Sequence, residues 1–171
     1  MASFLDPILK RWPAFALVIS AAMLAIAHGF QTFGGLAPCH LCLEQREVYW
    51  VAMGISAVAV LAMLTRIRAP LPRVASLLLA LVFAYGVYLA GFHAGAEWGW
   101  WKAPVTCAST GVKVTAADMQ ALLGGATVQG PACDKAAWVF LGLSMAGWNF
   151  LASVGLVGLS LAAAARKDTA A

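Results

Sequence analysis

The chain has 171 residues, of which 63% are hydrophobic and only 11% charged, against about 45–50% apolar and about 25% charged in ordinary soluble domains. That composition excludes both a soluble globular domain and a disordered segment, and the length suits one membrane-embedded domain, residues 1–171, without room for a second. Eleven Lys and Arg against seven Asp and Glu leave a net charge of +4; in so apolar a chain the placement of the basic residues outweighs their number, and no nucleic-acid partner is expected.

Four apolar runs, roughly 13–33, 48–65, 74–92 and 146–165, each approach the ~20 residues that a helix needs to cross hydrocarbon. None contains Lys, Arg, Asp or Glu, and none alternates polar with apolar, so each is predicted to be a helix rather than a barrel strand. The first also resembles a signal peptide, with Lys10 and Arg11 before it and Ala25-Ile26-Ala27 within it; it is longer than a typical signal core, so it is expected to remain as a span. Small residues along span 4, among them Gly147, Ser153, Gly155, Gly158 and Ser160, are expected to let helices approach closely. The fold class is thus an all-α membrane protein, a bundle of four transmembrane helices with two loops, about 34–47 and 93–145, on one side.

Lys10, Arg11, Arg66, Arg68, Arg73, Arg166 and Lys167 fall at one end of the spans, and only Arg46, Lys102, Lys113 and Lys135 at the other. The positive-inside rule puts both termini in the cytoplasm and the two loops outside. Aromatic residues near the span ends, including Tyr49, Trp50, Trp98, Trp100, Trp101, Trp138 and Trp148, are expected to be interfacial anchors. Within the second loop, Thr115 to Asp118 resembles a capping box and Gly124-Gly125 a stop, predicting a short amphipathic helix with Val114, Met119, Leu122 and Leu123 on its apolar face.

All four cysteines lie in the outer loops: Cys39 and Cys42 in the first, Cys107 and Cys133 in the second. In an oxidising compartment structural bridges and redox exchange are both open to them. A bond within Cys39-His40-Leu41-Cys42 closes too small a ring to restrict the unfolded chain much, whereas Cys-x-x-Cys is the usual spacing for lowering a thiol pKa and cycling a disulfide. A bond between Cys107 and Cys133 would restrict the unfolded loop by about 3.5 kcal/mol, and that pair suits either a staple or a disulfide that a partner's thiolate attacks. Four cysteines permit three pairings, and the sequence leaves the choice open. Zinc is the competing chemistry, but zinc ribbons bring two Cys-x-x-Cys pairs, so no metal is expected.

If helix 2 begins near Leu43, Arg46 lies one turn from Cys42, where its guanidinium favours a thiolate and any anionic group bound beside it. His40 is either a group that lowers a thiol pKa or an exposed loop histidine. Glu44 and Glu47 suit a helix start. His28 and His93, near the outer ends of spans 1 and 3, raise a rival function, a haem-binding membrane anchor, which would leave the Cys-x-x-Cys pair unexplained. His93 is also placed to hydrogen-bond a carbonyl of a bound ligand.

Pro38-Cys39-His40-Leu41-Cys42 with Arg46, the stretch Gly91 to Trp98 leading to Pro104 and Cys107, Cys133, and Phe140 to Trp148 entering span 4 together resemble the disulfide bond formation protein B (DsbB) family from Trp12 to Ala165. That resemblance implies a bacterial inner-membrane dithiol:quinone oxidoreductase, which reoxidises a periplasmic thioredoxin-fold carrier of the DsbA type and passes two electrons to ubiquinone or menaquinone. Carried onto this chain, it implies that Cys107 forms the mixed disulfide with the carrier, Cys133 exchanges with Cys39, and Cys42 is the thiolate that meets the quinone. Arg46 would stabilise that thiolate or the reduced quinone, and His93 would line the quinone site, expected where the outer ends of spans 1, 2 and 3 meet. Residues 108–131 show no recognisable match, and whether the carrier is general or dedicated stays open.

Overall fold

A computed structural model describes residues 5–65, 71–104, 119–120, 123–124 and 132–166. In chain order these form α1 (Asp6–Lys10), α2 (Trp12–Thr32), α3 (His40–Leu64), α4 (Leu71–Glu97), a hairpin of β1 (Val139–Phe140) and β2 (Leu143–Ser144), and α5 (Met145–Ala165). Among the described residues, α2, α3, α4 and α5 are long and apolar enough to cross a membrane, as the composition predicts.

Two spans are longer than hydropathy suggests. Helix α3 starts at His40, not near Val48 or Leu43, because Cys39 occupies its N-cap in extended conformation and its sulfur accepts the Cys42 N–H at 3.4 Å. The polar residues Glu44 to Glu47, outside the apolar run but suited to a helix start, are its second turn. Helix α4 likewise continues through His93 to Glu97. A two-residue hairpin also precedes α5, with Val139 paired to Ser144 and Phe140 to Leu143. Its turn residues Leu141 (φ +50°) and Gly142 (φ +80°) both have positive φ, the geometry of a type I′ turn. Leucine is an uncommon occupant of that region, which explains why the turn is hard to foresee. The helix expected around Thr115 falls mainly outside the described residues; Met119, Gln120 and Leu123 are helical, and the Gly124 N–H bonds the Gln120 carbonyl.

The spans pack in chain order around an arc, α2 on α3, α3 on α4 and α4 on α5, while α2 and α5 touch little. Lipid offers no hydrophobic drive for helix association, so close approach and polar contacts must hold the bundle. At Gly86 of α4 a Cβ would lie 3.1 Å from Val48 of α3 and 3.3 Å from the Ser153 hydroxyl of α5, so this position allows three helices to converge. The small-residue expectation for α5 holds at Gly147, Ser153 and Ser160, which are buried; Gly155 and Gly158 face outward. Tyr49, expected at the interface, is buried in the core.

Helices α2 and α5 are pinned together at the end that carries the termini. The Trp12 indole N–H donates to the Ser160 hydroxyl at 2.9 Å, with both side chains fully buried, and beside it Asp6 of α1 pairs with Arg166, which caps α5, at 2.7 Å. Replacing Trp12 by Ala is expected to destabilise the fold by about 3–5 kcal/mol, read as a lowered midpoint in denaturant unfolding of the detergent-solubilised protein.

Candidate active site

The pair Cys39 and Cys42 sits at the N-terminus of α3, Cys39 at the N-cap and Cys42 in the first turn. Unpaired backbone N–H groups make that end of a helix favourable for negative charge. Both are free thiols, with Cys39 donating to the Cys42 sulfur at 2.9 Å. That hydrogen bond and burial push the Cys39 thiol above its ordinary pKa. The anionic form of the pair is therefore carried by Cys42.

Cys133 approaches the same point from the second loop. The Cys39 sulfur, the Cys133 sulfur and a ring nitrogen of His93 all lie within 4.8 Å of one another, each in a buried residue. Cys133 is disulfide-bonded, and since Cys39 and Cys42 are both free, neither is its partner. A disulfide sulfur is not a thiolate ligand, so the trio presents a free thiol against a disulfide, the juxtaposition that thiol–disulfide exchange requires. Cys107 lies outside the described residues.

Behind the sulfurs runs a chain of buried and half-buried polar side chains. Tyr49 of α3 donates its hydroxyl to the Asn149 carbonyl oxygen of α5, Asn149 donates its amide to Gln45 Oε1, and Gln45 Nε2 bonds His93 Nδ1 at 2.9 Å and the Leu41 carbonyl at 3.2 Å. With Gln45 as donor, His93 Nδ1 is the acceptor and Nε2 carries the proton. That nitrogen lies 3.7 Å from Cys39 Sγ and 3.7 Å from Glu97 Oε1.

A cavity of about 470 Å³ opens beside this chain, a volume within the range of small-molecule sites. Its walls are mostly apolar, with Cys39, Cys42, Gln45, Arg46, His93 and Glu97 among the polar exceptions. Contrary to the expected junction of spans 1, 2 and 3, it lies between α2, α3 and α5; α4 contributes only His93 and Glu97. The reason is the arc of helices, which leaves the space between α2 and α5 unfilled once they diverge from their pinned end. Across the outer rim, Phe30 of α2, Trp138, Phe140 of β1 and Trp148 of α5 form a row of aromatic contacts with centroids 5.1–6.3 Å apart.

Arg46 lies on the cavity wall but does not bond Cys42; its guanidinium donates to Gln31 Oε1 at 2.6 Å and to the Ala27 carbonyl at 3.1 Å, joining α3 to α2. Two of its five N–H donors are thereby used, leaving three. His40 turns to Glu44 at 3.5 Å. His28 bonds the Leu24 carbonyl at 2.8 Å and is not on the cavity wall, so this cavity does not bring His28 and His93 together as haem ligation needs. Gln45, Tyr49, Asn149 and Glu97 were not expected at the site. Asn149, a lone amide in an apolar span, is a signal that could have been read, because isolated polar residues in spans face the bundle interior.

A family profile described as "Disulfide bond formation protein DsbB" matches residues 10–163. The chain is 30% identical over 168 residues to Disulfide bond formation protein B of a Polaromonas species, covering 93% of this chain and 94% of the relative. It is 33% identical over 148 residues to the protein of that name in Methylococcus capsulatus, covering 82% and 85%, and 31% identical over 147 residues to Disulfide bond formation protein B 2 of Pseudomonas entomophila, covering 85% and 84%. No solved structure matches the chain significantly.

The thiol pair should alkylate unequally. With Cys39 buried and its pKa raised, its thiolate fraction is smaller at every pH below the shifted value, so iodoacetamide is expected to modify Cys42 first, by on the order of tenfold at neutral pH. Mass spectrometry of the briefly labelled protein, digested after quenching, checks the order.

Proposed function

This chain belongs to the disulfide bond formation protein B family and is a multi-pass membrane protein of disulfide-bond formation, and from that premise we propose that it is a dithiol:quinone oxidoreductase of the bacterial inner membrane. The cysteine end faces the periplasm and the termini face the cytoplasm. Its protein substrate is a reduced thioredoxin-fold carrier of the DsbA type, and its electron acceptor is ubiquinone or menaquinone. The observation that carries this reading is the Cys39 sulfur within 4.8 Å of the disulfide-bonded Cys133 sulfur, on the wall of an apolar cavity that also holds Cys42.

In the proposed cycle a carrier thiolate attacks Cys107 of a Cys107–Cys133 disulfide, forming the mixed disulfide and freeing Cys133 as a thiolate. Cys133 attacks Cys39 of an oxidised Cys39–Cys42 pair, and Cys42 leaves as the thiolate. The carrier's second thiol then resolves the mixed disulfide, so that the carrier departs oxidised and Cys107 is freed as a thiolate; Cys107 attacks Cys133 of the Cys133–Cys39 disulfide, re-forming Cys107–Cys133 and releasing Cys39, and the two electrons remain on Cys39 and Cys42. Because Cys133 is delivered by a loop of the same chain, the central exchange is intramolecular, which removes the cost of a diffusional encounter.

The reduced pair described above is the state from which electrons leave. The cavity fits a quinone: apolar walls suit its ring, and the unused donors of Arg46, with His93 Nε2–H, suit its oxygens. A bound quinone supplies an acceptor for two electrons and two protons. Cys42 holds its negative charge at the helix N-terminus, Arg46 favours that charge in a site of low dielectric, and Cys39 closes the pair to a disulfide as the electrons depart.

Quinone reduction followed by absorbance, with purified protein, reduced carrier and a short-chain quinone, tests the reading. Turnover is expected to vanish in Cys39→Ser, Cys42→Ser, Cys107→Ser and Cys133→Ser; full turnover in Cys42→Ser removes that residue from its role. Arg46→Ala is expected to raise the quinone KM by about tenfold, and an unchanged KM reduces Arg46 to a tie between α3 and α2.

A further inference from the structure

Glu97 ends α4, and its side chain, only 6% exposed, is part of the wall of two separate spaces. One is the apolar cavity that holds Cys42 and His93. The other is a more polar pocket, lined by Trp100, Trp101, Lys102 and Asp134. The two carboxylate oxygens are engaged differently. Oε2 accepts from the Ser144 hydroxyl, which is itself fixed because its oxygen accepts the Gly147 N–H at 3.1 Å and caps α5. Oε1 is left facing His93 Nε2, 3.7 Å away, and Nε2 in turn faces the Cys39 sulfur at the same distance.

The quinone-linked reaction leaves a proton to be found. When a Cys39 thiol and a Cys42 thiolate join as a disulfide they release two electrons and one proton, whereas reduction of a quinone to the quinol consumes two electrons and two protons. The second proton must reach an apolar cavity from water. We propose, resting on the function above, that Glu97 is the relay for it. Glu97 takes a proton from the outer polar pocket and gives it into the quinone cavity, whose wall it also forms, while the Nε2–H of His93, which faces Oε1, keeps its own proton and stabilises the carboxylate left behind. The groups facing Glu97 are His93 on its own helix, Ser144 of β2, Lys102 and Asp134 across the outer pocket, and Cys42 and Arg46 across the inner one. Gln45 holds His93 Nδ1 as an acceptor, so Nε2 stays the proton-bearing atom throughout.

The test uses the full chain in detergent, reduced at its thiols and freed of reductant, then mixed with a short-chain ubiquinone analogue whose absorbance is followed. Glu97→Gln is expected to slow quinone reduction on the order of tenfold at neutral pH, with the analogue's KM within about twofold of the unmodified protein. Its rate should fall steadily from about pH 6 to about pH 8, because the missing proton then comes from solvent, while the unmodified protein changes little. Added formic acid should restore part of the rate in Glu97→Gln, and Glu97→Asp should retain part of it. An unmodified rate and pH profile in Glu97→Gln overturns the relay, as does a loss confined to KM. Should Glu97→Gln fail to fold, an unchanged rate and pH profile in Glu97→Asp, with no solvent deuterium effect in the unmodified protein, overturns it equally. Failure of the unmodified protein to reduce the analogue sinks the quinone-linked function itself, a result distinct from any of these.

Discussion

An amide or imidazole held inside hydrocarbon has no water to turn to, so its partners must be other side chains of the bundle. The hydrogen bonds from Tyr49 through Asn149 and Gln45 to His93 meet that requirement with each donor matched to an acceptor. They also join α3, α5 and α4 at one level, and they decide which His93 nitrogen carries its proton. The chemistry beside the cysteines thus follows from a constraint that is first a matter of stability, since a half-satisfied network in such surroundings is worse than none. One result is that His93 is held in one tautomer, which apolar packing could not select.

The cysteines take their properties from where the backbone puts them. Cys39 caps α3 with its sulfur and Cys42 sits in the first turn, so a spacing of three residues becomes two sulfurs on one helix end, with the macrodipole favouring charge there. The third sulfur arrives from a segment nearly a hundred positions further along and is buried against the first. A local motif and a distant loop are thereby brought to one point, and residues of both, among them Cys39, Cys42, Ala132 and Trp138, line the apolar cavity.

Much of this was legible in the amino-acid sequence. Span number and type follow from runs of apolar residues, and Cys39-x-x-Cys42 announces its chemistry through spacing alone, since both signals are local. What escaped is non-local or masked by charge. Hydropathy stops at the first Glu or Arg, so it starts the span at Val48, with only the charges of Glu44 and Glu47 hinting at an earlier helix start, and it ends α4 before His93 and Glu97. Tyr49 read as an interfacial anchor because aromatic residues near span ends usually are; only its bond to Asn149 shows otherwise. The position of the cavity depends on which two helices fail to meet, a fact of packing that periodicity does not encode.

Helices α2 and α5 are fastened by Trp12 with Ser160, and α1 is tied to the end of α5 by Asp6 with Arg166, while toward the cysteine end the cavity lies between α2 and α5. Ile26 lines the space between them and is also exposed on the bundle's outer surface, so that space is a slit in the side of the bundle and not a well. A molecule with a long greasy tail can seat its head among the polar groups while the tail trails out among the lipids. For the proposed quinone, that geometry would leave the isoprenoid tail in the membrane, so its length would matter little to the groups that hold the ring.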